Sequence, residues 1–456
     1  MFSADLIKEK LSRGFAKTKG GTAISIIGLG YVGKPLVNIL RNSFSVIGYD
    51  IDKDRVADLN LSYATPKYSS AGLVLGNIPV ITDSEEALKD SNFAIITVQT
   101  PVTKSNKPDL RFVRSAFEVV GRNCQRPFIV CLESTVSPGT TELMAKEILE
   151  KKIGLKRGID FKIAYSPERV SPGDKEHDIE HVVKLISAED EDTLRIVEHV
   201  YLNVANVYCA VSIKVAEAAK LVENTQRMVN IALMNELAMG FDSIGVDIQE
   251  VLKAAGTKWN FHKYQPGLVG GHCIPVDPYY LLNAFEKHRR PERPSSISPI
   301  ASALNTIEDY PLWIVDKVCW IIRKAKIKWP RVLILGYSFK KDIDDARGSK
   351  VKDICKRLRA KGVKTIEVWD NYAQGAEWEK NNYVRRHYPA QDEPYGFDVI
   401  ILAVDHTYID DVKYDGKEGI AREFGELTKG AANPIFIDIP AAFSKDLLEG
   451  YVYWRP

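Results

Sequence analysis

One stretch of the sequence, Gly270-Gly271-His272-Cys273-Ile274-Pro275-Val276-Asp277-Pro278, combines residues that could carry out covalent chemistry. As a thiolate, Cys273 can attack a carbonyl carbon, and Asp277 supplies a carboxylate four residues later. The two glycines before the cysteine allow a backbone to approach a ligand closely. The competing interpretation is a small, buried apolar cysteine, as in most soluble chains. The Gly/Pro frame and the nearby acid favour a nucleophile.

A second chemical motif lies near the N-terminus, where the apolar segment 23–27 runs into Gly28-Leu29-Gly30-Tyr31-Val32-Gly33. Such glycines let a loop pass close to a pyrophosphate, which binds the free N–H groups at the start of the following helix. A second predicted strand, 44–49, ends on Asp50. Its carboxylate would accept hydrogen bonds from the adenosine ribose and repel a 2′-phosphate. The motif therefore predicts an NAD site rather than an NADP site.

Three further polar residues each follow a predicted buried strand of this half: Thr100, Thr135 and Glu168. Ligands bind at the carboxyl ends of strands in parallel sheets. For the two threonines, contact with a ligand and a turn or helix N-cap are about equally compatible with the local sequence. Glu168 suits a base or an orienting group, although a glutamate in such a place is also commonly a surface charge. The strand before it, 161–165, is predicted to be the last of its domain.

The segment 213–255 has small and apolar residues recurring every three or four positions, which predicts a long helix. Lys220, Asn224 and Arg227 lie at i, i+4 and i+7 and therefore share one face. That spacing usually marks a solvated stripe, but the surrounding alanine, leucine and valine residues are also consistent with a partly buried face. A long helix between two α/β halves is a natural dimer surface. The loop 259–271 then leads to the cysteine stretch.

The C-terminal part predicts a second α/β domain that begins with the apolar segment 331–337. Only Gly336 remains of a glycine fingerprint, so this half is predicted to be Rossmann-like but shaped for a different ligand. The cations of the charged segment 339–347 suit a pyrophosphate, unless the segment is a salt-linked loop. A Pro-rich linker, 287–296, and a helix, 300–324, precede the domain.

The fold class predicted is therefore α/β, with two Rossmann-like doubly wound domains joined by a long central helix. We divide the chain into an N-terminal arm, a first Rossmann domain, a central helical domain that carries the cysteine loop, and a second Rossmann-like domain. The bounds are 1–21, 22–212, 213–325 and 326–456.

Composition excludes several function classes. The chain has 456 residues, of which 45% are hydrophobic and 27% charged, and a net charge of +2. That balance gives no basic field for nucleic acid or a membrane surface. No apolar run has the length of a membrane span, and the polar, Lys-rich N-terminus is unlike a signal sequence. The six cysteines are scattered without a metal-type cluster, so we expect no metal and a reducing cytoplasm.

Five motifs, taken together, resemble those of the UDP-glucose/GDP-mannose dehydrogenase family, from about residue 22 to the C-terminus. They are the segments 28–33, 166–169, 217–227, 270–278 and 339–347. The resemblance implies an enzyme that oxidises the C6 alcohol of a UDP-sugar to a carboxylate with NAD. The expectations of a cytoplasmic location and of a homodimer rest on the scattered cysteines and on the long helix. The C-terminal domain would bind the UDP-sugar, and a surface polysaccharide or glycan would receive the product.

The resemblance also implies roles for the chemical residues. Cys273 would capture the aldehyde as a thiohemiacetal, and Lys220 would stabilise the developing oxyanion or bind substrate. Asn224 would hold the C6 oxygen, while Asp277 and Lys220 would transfer protons through water. A covalent thioester would keep the intermediate bound between the two oxidations.

Further roles implied by the resemblance concern positioning and binding. Thr135 would position substrate, water and cofactor, and Glu168 would assist hydrolysis of the thioester. The implied NAD contacts are Gly28, Gly30, Tyr31, Val32, Gly33, Asp50, Arg55, Thr100, Thr135 and Arg347. The implied substrate contacts are Glu168, Arg169, Lys220, Asn224, Arg227, His262, Tyr264, Gly270 and Lys340.

The chain departs from the UDP-glucose branch of that family at two positions. Pro172 stands where that branch has a second glutamate, and Val276 stands where it has a lysine. The pattern of 166–177 instead resembles the branch that acts on UDP-N-acetylhexosamines, meaning the GlcNAc, GalNAc or ManNAc sugars. A third departure, Arg347-Gly348-Ser349-Lys350, affects the geometry around the arginine.

Three alternatives remain beside this hypothesis. One is a UDP-glucose 6-dehydrogenase. Another is a two-electron dehydrogenase of the 6-phosphogluconate or 3-hydroxyacid type, which would have no use for Cys273 or for a second α/β domain. The last is a non-catalytic protein that binds NAD or a UDP-sugar, which need not keep a nucleophile and its partners.

Overall fold

A computed structural model of the chain describes residues 23–64, 68–69, 72–73, 78–170, 176–287, 298–373, 384–385 and 396–456. The predicted N-terminal arm, most of the predicted linker 287–296 and Pro172 lie outside these residues. The chain divides into two compact units, Met1–Glu223 with Tyr279–Pro291, and Asn224–Pro278 with Glu292–Pro456.

An eight-stranded sheet forms the centre of the first unit. Its strands are β1 (Ala23–Ile27), β2 (Val46–Tyr49), β3 (Val80–Thr82), β4 (Ser91–Ile96), β5 (Phe128–Leu132), β6 (Phe161–Tyr165), β7 (Lys184–Ala188) and β8 (Val207–Cys209). They lie in the order β8-β7-β6-β5-β4-β1-β2-β3. Every residue of β1, β2, β4 and β5 is buried, as expected for strands covered on both faces. The strand order reverses at β1, which is where such sheets bind ligands.

Helices cover this sheet. They are α1 (Gly33–Leu40), α2 (Lys53–Ala64), α3 (Arg111–Asn123), α4 (Thr140–Met144), which continues as the π-helical stretch Ala145–Ile153, and α5 (Glu191–Tyr201). A 3₁₀ turn, Glu85–Asp90, precedes β4, and the short strands Tyr68–Ser69 and Gly72–Leu73 pair separately.

The prediction that 161–165 is the last strand of this domain was wrong. The strand β7 pairs with β6 in the antiparallel direction, and β8 pairs with β7 in parallel. Two polar side chains of β7 are buried because they bind across the sheet: Lys184 binds carboxylates, and Ser187 donates to the Tyr165 carbonyl oxygen at 3.0 Å. These polar positions interrupt the apolar run by which a buried strand is recognised.

The predicted helix 213–255 is two helices, α6 (Ile213–Ser243) and α7 (Ile248–Ala255). Gly245, whose φ is +74°, lies between them. Asp247 then caps α7 by accepting a hydrogen bond from the Gln249 N–H at 2.8 Å. The boundary between the two compact units falls inside α6, after Glu223.

The second unit contains a six-stranded sheet in which every pairing is parallel. Its strands are β9 (Arg331–Leu335), β10 (Thr365–Trp369), β11 (Val384–Arg385), β12 (Val399–Leu402), β13 (Ile435–Asp438) and β14 (Val452–Trp454), in the order β11-β10-β9-β12-β13-β14. The strand order reverses at β9, so the predicted class of two doubly wound α/β domains is confirmed. The last strand, β14, was not predicted.

The remaining helices of the described residues are α8 (Asp277–Lys287), α9 (Pro299–Lys324), α10 (Val351–Ala360), α11 (Tyr408–Tyr414) and α12 (Gly416–Leu427), with a 3₁₀ turn at Lys445–Leu448. The helix α9 begins where Ser298 accepts a hydrogen bond from the Ala301 N–H, with a proline in the first turn. None of the helices in the described residues is both long and apolar enough to cross a bilayer.

Candidate active site

The glycine loop between β1 and α1 has two kinds of glycine. A Cβ on Gly33 would lie 1.9 Å from the Gly28 carbonyl oxygen, so the helix can approach the loop only without a side chain there. Gly28 itself has φ +97°, which other residues rarely adopt. A Cβ on Gly30 would meet nothing within 4 Å. The loop is therefore tight toward the sheet and open at Gly30.

Asp50 ties this loop to the end of β2. Its Oδ2 accepts hydrogen bonds from the Leu29 N–H at 2.7 Å and from Arg55 Nη1 at 2.8 Å, and its Oδ1 accepts from the Asp52 N–H at 3.0 Å. The side chain is nearly buried. A glycine loop open at its tip, a helix N-terminus and a carboxylate ending the second strand fit a dinucleotide such as NAD.

The loops after β4 and β5 are held by hydrogen bonds within the first unit. The Tyr280 hydroxyl donates to the Thr100 carbonyl oxygen at 3.0 Å, and the Ser137 hydroxyl donates to the Tyr280 carbonyl oxygen at 2.9 Å. Thr135 and Thr100 are partly exposed. Neither caps a helix, because the N-caps of α3 and α4 are Leu110 and Gly139. Both threonines therefore lie in fixed loops at the carboxyl edge of the sheet.

Glu217, which the sequence analysis missed, anchors the loop that carries Thr135. Its buried carboxylate accepts hydrogen bonds from the Gly139 N–H at 2.5 Å, the Thr141 N–H at 2.9 Å and the Thr141 hydroxyl at 2.7 Å. Burial raises the pKa of Glu217 to about 7, although these hydrogen bonds oppose the increase. The sequence could have indicated this buried acid, because Glu217 lies between two alanines on an apolar face of the helix. Glu217 lies one turn of α6 before Lys220.

The structure favours the partly buried alternative for two residues of the α6 stripe. Lys220 is 7% exposed and Asn224 is 9% exposed, whereas Arg227 is exposed to solvent. The Lys220 ammonium has no hydrogen-bond or ion-pair partner among the residues that the structure describes. A cation held in a buried place without an anion is suited to binding an anionic group of a ligand.

Glu168 is an oriented carboxylate rather than a solvated surface charge. Its Oε1 accepts hydrogen bonds from the Arg169 and Val170 N–H groups at 2.6 and 2.8 Å, and its Oε2 accepts from Lys184 at 3.0 Å. The Arg169 guanidinium forms an ion pair with Glu223 at 2.8 Å. The predicted substrate contact Arg169 is thus engaged within its own unit.

In the second unit, Cys273 occupies a tight turn that leads into α8. Its carbonyl oxygen accepts hydrogen bonds from the Val276 and Asp277 N–H groups at 3.0 and 2.9 Å. Asp277 is 3% exposed and its Oδ2 accepts from Asn224 Nδ2 at 2.5 Å. Cys273 is partly exposed, whereas Cys131 is fully buried, and burial raises the pKa of that thiol to about 12. The buried apolar interpretation therefore describes Cys131 and not Cys273.

His272 is a second residue that sequence reasoning missed. Its Nδ1 lies 3.3 Å from Cys273 Sγ, and its Nε2 lies 3.6 Å from Asp345 Oδ2. The interaction with Asp345, followed by that with Cys273, raises the pKa of His272 to about 9. Its position next to Cys273 could have indicated this role, but Asp345, the acid that it contacts, is remote in the sequence.

Asp345 also holds the predicted NAD contact Arg347. The guanidinium donates from Nη2 to Asp345 Oδ2 at 2.7 Å and from Nε to Oδ1 at 3.0 Å. Burial alone would raise the pKa of Asp345, but the interaction with His272 and the hydrogen bonds from Arg347 outweigh it and hold the pKa below the ordinary value. The Arg347 side chain is 56% exposed.

The two glycines before the cysteine also allow a contact within the second unit, beside the approach to a ligand that was predicted for them. A Cβ on Gly270 would lie 2.9 Å from the Gly348 carbonyl oxygen, and one on Gly271 would lie 2.9 Å from the Phe339 ring. Gly271 also has φ +86°. In the second unit the glycines let the cysteine loop pack directly on the segment 339–348, which brings His272 to Asp345.

Two cavities of the second unit are lined in part by the loop 259–271, which contains the implied substrate contacts His262, Tyr264 and Gly270. One, of about 300 Å³, lies at the carboxyl edge of the second sheet and is lined by Pro266, Gly270, Ser338, Lys341 and Lys350, among others. The other, of about 370 Å³, is lined by residues that include Phe261, Lys263 and Tyr264. His262 is exposed and Lys340 is partly buried, and neither lines these cavities.

Comparison with known families gives three matches in chain order. All three are domains of the UDP-glucose/GDP-mannose dehydrogenase family. The NAD binding domain matches residues 22–205, the central domain matches 214–303 and the UDP binding domain matches 333–443.

Individual relatives agree with these matches. The chain is 42% identical to Protein CapL of Staphylococcus aureus, over 84% of this chain and 89% of that protein. It is 37% identical to a UDP-N-acetyl-D-glucosamine 6-dehydrogenase of Pseudomonas aeruginosa, over 93% of this chain and 97% of that protein. The solved structure of a UDP-D-ManNAc dehydrogenase from Pyrococcus horikoshii matches with a TM-score of 0.77 at 29% identity, covering 95% of this chain and 99% of that one.

Proposed function

We propose that this chain, which belongs to the UDP-glucose/GDP-mannose dehydrogenase family, oxidises the C6 alcohol of a UDP-N-acetylhexosamine to a carboxylate with NAD. The observation that carries the proposal is the partly exposed Cys273 thiol beside the His272–Asp345 pair, in the turn that leads to Asp277. The substrate class follows from relatives named for UDP-N-acetyl-D-glucosamine and UDP-N-acetyl-D-mannosamine.

The chemistry assigned to the cysteine proceeds in two oxidations. NAD, when bound, supplies the hydride acceptor in each. The Cys273 sulfur adds to the C6 aldehyde and forms a thiohemiacetal, and the second oxidation converts this adduct to a thioester. The oxygen of water then bonds to the thioester carbon, the C–S bond breaks, and a water proton passes to Glu168.

The other residues bind and orient the reacting groups. Lys220 provides a cation for the oxygen that becomes negative during addition. Asn224 holds the C6 oxygen with its amide, which Asp277 orients through the 2.5 Å hydrogen bond between the two side chains. Asp277 accepts protons relayed through water, and Thr135 positions the substrate. The proposal is supported by the burial of Lys220, the cation, and by the pairing of the buried Asp277 carboxylate with Asn224.

The proposed NAD contacts remain those given by the glycine motif and the family resemblance. They are the loop residues 28–33, Asp50, Arg55, Thr100, Thr135 and Arg347. Arg55 pairs with Asp50 and Arg347 pairs with Asp345, so each guanidinium is already oriented by a carboxylate. For the UDP-sugar, the 300 Å³ cavity supports the loop around Gly270 as a binding segment, with Lys341 and Lys350 as cations for the diphosphate.

We also infer a homodimer that works in the reducing cytoplasm. Three apolar side chains of α6 are about half exposed: Val215 at 47%, Val222 at 53% and Leu233 at 49%. A second copy of the chain would cover such residues. Light scattering coupled to size-exclusion chromatography tests the dimer, and a monomer would contradict it.

A panel of UDP-sugars with NAD, followed by NADH absorbance, tests the substrate assignment. We expect the highest kcat/KM for an N-acetylated hexosamine and no turnover by Cys273→Ala. A higher kcat/KM for UDP-glucose would favour the UDP-glucose alternative, and full turnover by Cys273→Ala would favour a two-electron dehydrogenase.

A further inference from the structure

A buried cluster in the first unit surrounds Lys184, the first residue of β7. Its side chain is 3% exposed, and its ammonium donates hydrogen bonds to Glu133 Oε2 at 2.8 Å and to Glu168 Oε2 at 3.0 Å. The Tyr201 hydroxyl donates to the other oxygen of Glu133, and the Tyr201 ring centroid lies 5.5 Å from the ammonium. Cys131 Sγ lies 3.5 Å from the same hydroxyl. One ammonium thus joins the ends of β5 and β6.

The cluster contains one ammonium and two carboxylates, and the two carboxylates differ in how well their negative charge is stabilised. Burial alone would raise the pKa of Glu168, but the charge and hydrogen bond of Lys184 and the N–H groups of Arg169 and Val170 outweigh it and hold the pKa below the ordinary value. The described partners of Glu133 are Lys184 and a tyrosine hydroxyl, and burial raises the pKa of Glu133. The excess negative charge is therefore disfavoured at Glu133, and Glu168 is the carboxylate that stays ionised.

Glu168 is also the member of the cluster that reaches solvent. Its side chain is 16% exposed, against 0% for Glu133. A carboxylate offers about four acceptor positions, and the three described donors leave one for a water molecule. Stability alone does not explain why this ion pair is buried, since apolar side chains of similar volume frequently give a folded state at least as stable. An apolar side chain could not, however, orient the Glu168 carboxylate or favour its charge.

We propose that Lys184 is a positioning residue for the hydrolytic half of the reaction, because it ties the Glu168 carboxylate to Glu133 and keeps it anionic. This rests on the proposed function, in which Glu168 accepts a proton from the water that attacks the thioester. That water keeps its other proton, which the product acid releases, and the electron pair of the broken C–S bond returns to the Cys273 sulfur. Without Lys184, the water is poorly activated and the thioester persists.

The first test measures the carboxylate itself. The double variant Lys184→Met with Glu133→Gln removes one positive and one negative charge, so the net charge of the cluster is unchanged while Glu168 loses its cation. Lys162→Met is the matched control, since Lys162 on β6 is 18% exposed and pairs with Asp190 instead of Glu168. Carbon-13 NMR of labelled glutamate, assigned with Glu168→Gln, follows titration in the enzyme without substrate.

We expect Glu168 to titrate at a higher pH in the double variant and at an unchanged pH in Lys162→Met. An unchanged titration in the double variant overturns the proposal. Because this readout needs no substrate, it separates a failure of the positioning role from a failure of the proposed function.

The second test follows the Cys273 adduct by rapid quench and mass spectrometry with a UDP-N-acetylhexosamine and NAD. In the double variant we expect the first burst of NADH to be retained, the adduct to accumulate and turnover to fall roughly tenfold or more at neutral pH. Turnover should recover as the pH rises, and hydroxylamine, which attacks thioesters directly, should release the adduct. An equal loss of rate at every pH without an adduct contradicts the proposal. Absence of NADH in the wild type overturns the proposed function, and with it the hydrolytic role of Lys184.

Discussion

The Nδ1 atom of His272 lies 3.3 Å from the Sγ atom of Cys273, and the other ring nitrogen faces Asp345 at 3.6 Å. The acid keeps the imidazole protonated over the neutral range, since the pKa of His272 is raised to about 9. An imidazolium beside a thiol favours the thiolate, which is the nucleophilic form. His272 thus belongs to the reactive arrangement, although a histidine at this position does not by itself predict that role.

Replacing His272 with glutamine should slow alkylation of Cys273 by iodoacetamide. We expect a decrease of about tenfold near pH 7, because the variant lacks the positive charge that favours the nucleophilic form of the sulfur. The difference should shrink as the pH rises through about 9, because wild-type His272 then loses its charge. Peptide mass spectrometry measures the rate, with the exposed Cys209 as internal control. Equal rates at Cys273 in both proteins at pH 7 would contradict this account.

The same pair makes a pH-dependent contribution to stability. The pKa of His272 is raised in the folded state from 6.5 to about 9, so its contribution is fully present below pH 6.5 and is lost as the pH rises through 9. The side chain is 39% exposed, and solvent screening limits the contribution to about 1 kcal/mol. Urea unfolding of His272→Gln should therefore show a deficit at pH 6 that disappears by pH 10. A deficit that grows with pH would show that the sign is wrong.

Asp277→Asn should keep the fold and lose most of the activity. The amide retains an oxygen for the Asn224 donor, but it cannot accept a proton. We expect kcat to fall about 100-fold or more with a smaller change in KM. Asp247→Asn is the matched control, because Asp247 caps α7 and is expected to affect stability alone. A kcat near the wild-type value for Asp277→Asn would remove this residue from the proton relay.

Two glycine substitutions in the first loop should separate folding from cofactor binding. Gly33→Ala places a Cβ 1.9 Å from a backbone oxygen and should destabilise the protein by about 2 kcal/mol or more. Gly30→Ala meets no atom within 4 Å, so its melting temperature should equal that of the wild type while its affinity for NADH falls. NADH fluorescence titration and thermal melting measure the two effects. An unchanged affinity in Gly30→Ala would place the dinucleotide elsewhere.

Features carried by contiguous residues could be predicted from the sequence. The order of strand, glycine loop, helix and acid identified the first Rossmann domain, because each part is required locally by the backbone. The Gly/Pro frame likewise separated Cys273 from the buried cysteines such as Cys131. The two helices within 213–255 were predicted as one, since a short break at Gly245 barely disturbs the apolar period.

Features that depend on remote partners could not be predicted. Lys184 is a charged residue in a buried strand only because two carboxylates from other strand ends surround it. Glu217 is buried because the loop at Gly139 and Thr141 supplies three donors. In both residues the side-chain type alone indicates the surface, and the tertiary contact reverses that expectation.

The central claim, oxidation of a UDP-N-acetylhexosamine through a Cys273 thioester, is tested most directly by stoichiometry. With limiting UDP-sugar and excess NAD, the reaction is run to completion and the NADH formed per sugar is measured. Retention of the intermediate on Cys273 predicts about two NADH per sugar, with the uronic acid as the product. A yield of about one NADH per sugar, with release of an aldehyde or ketone, would contradict the account.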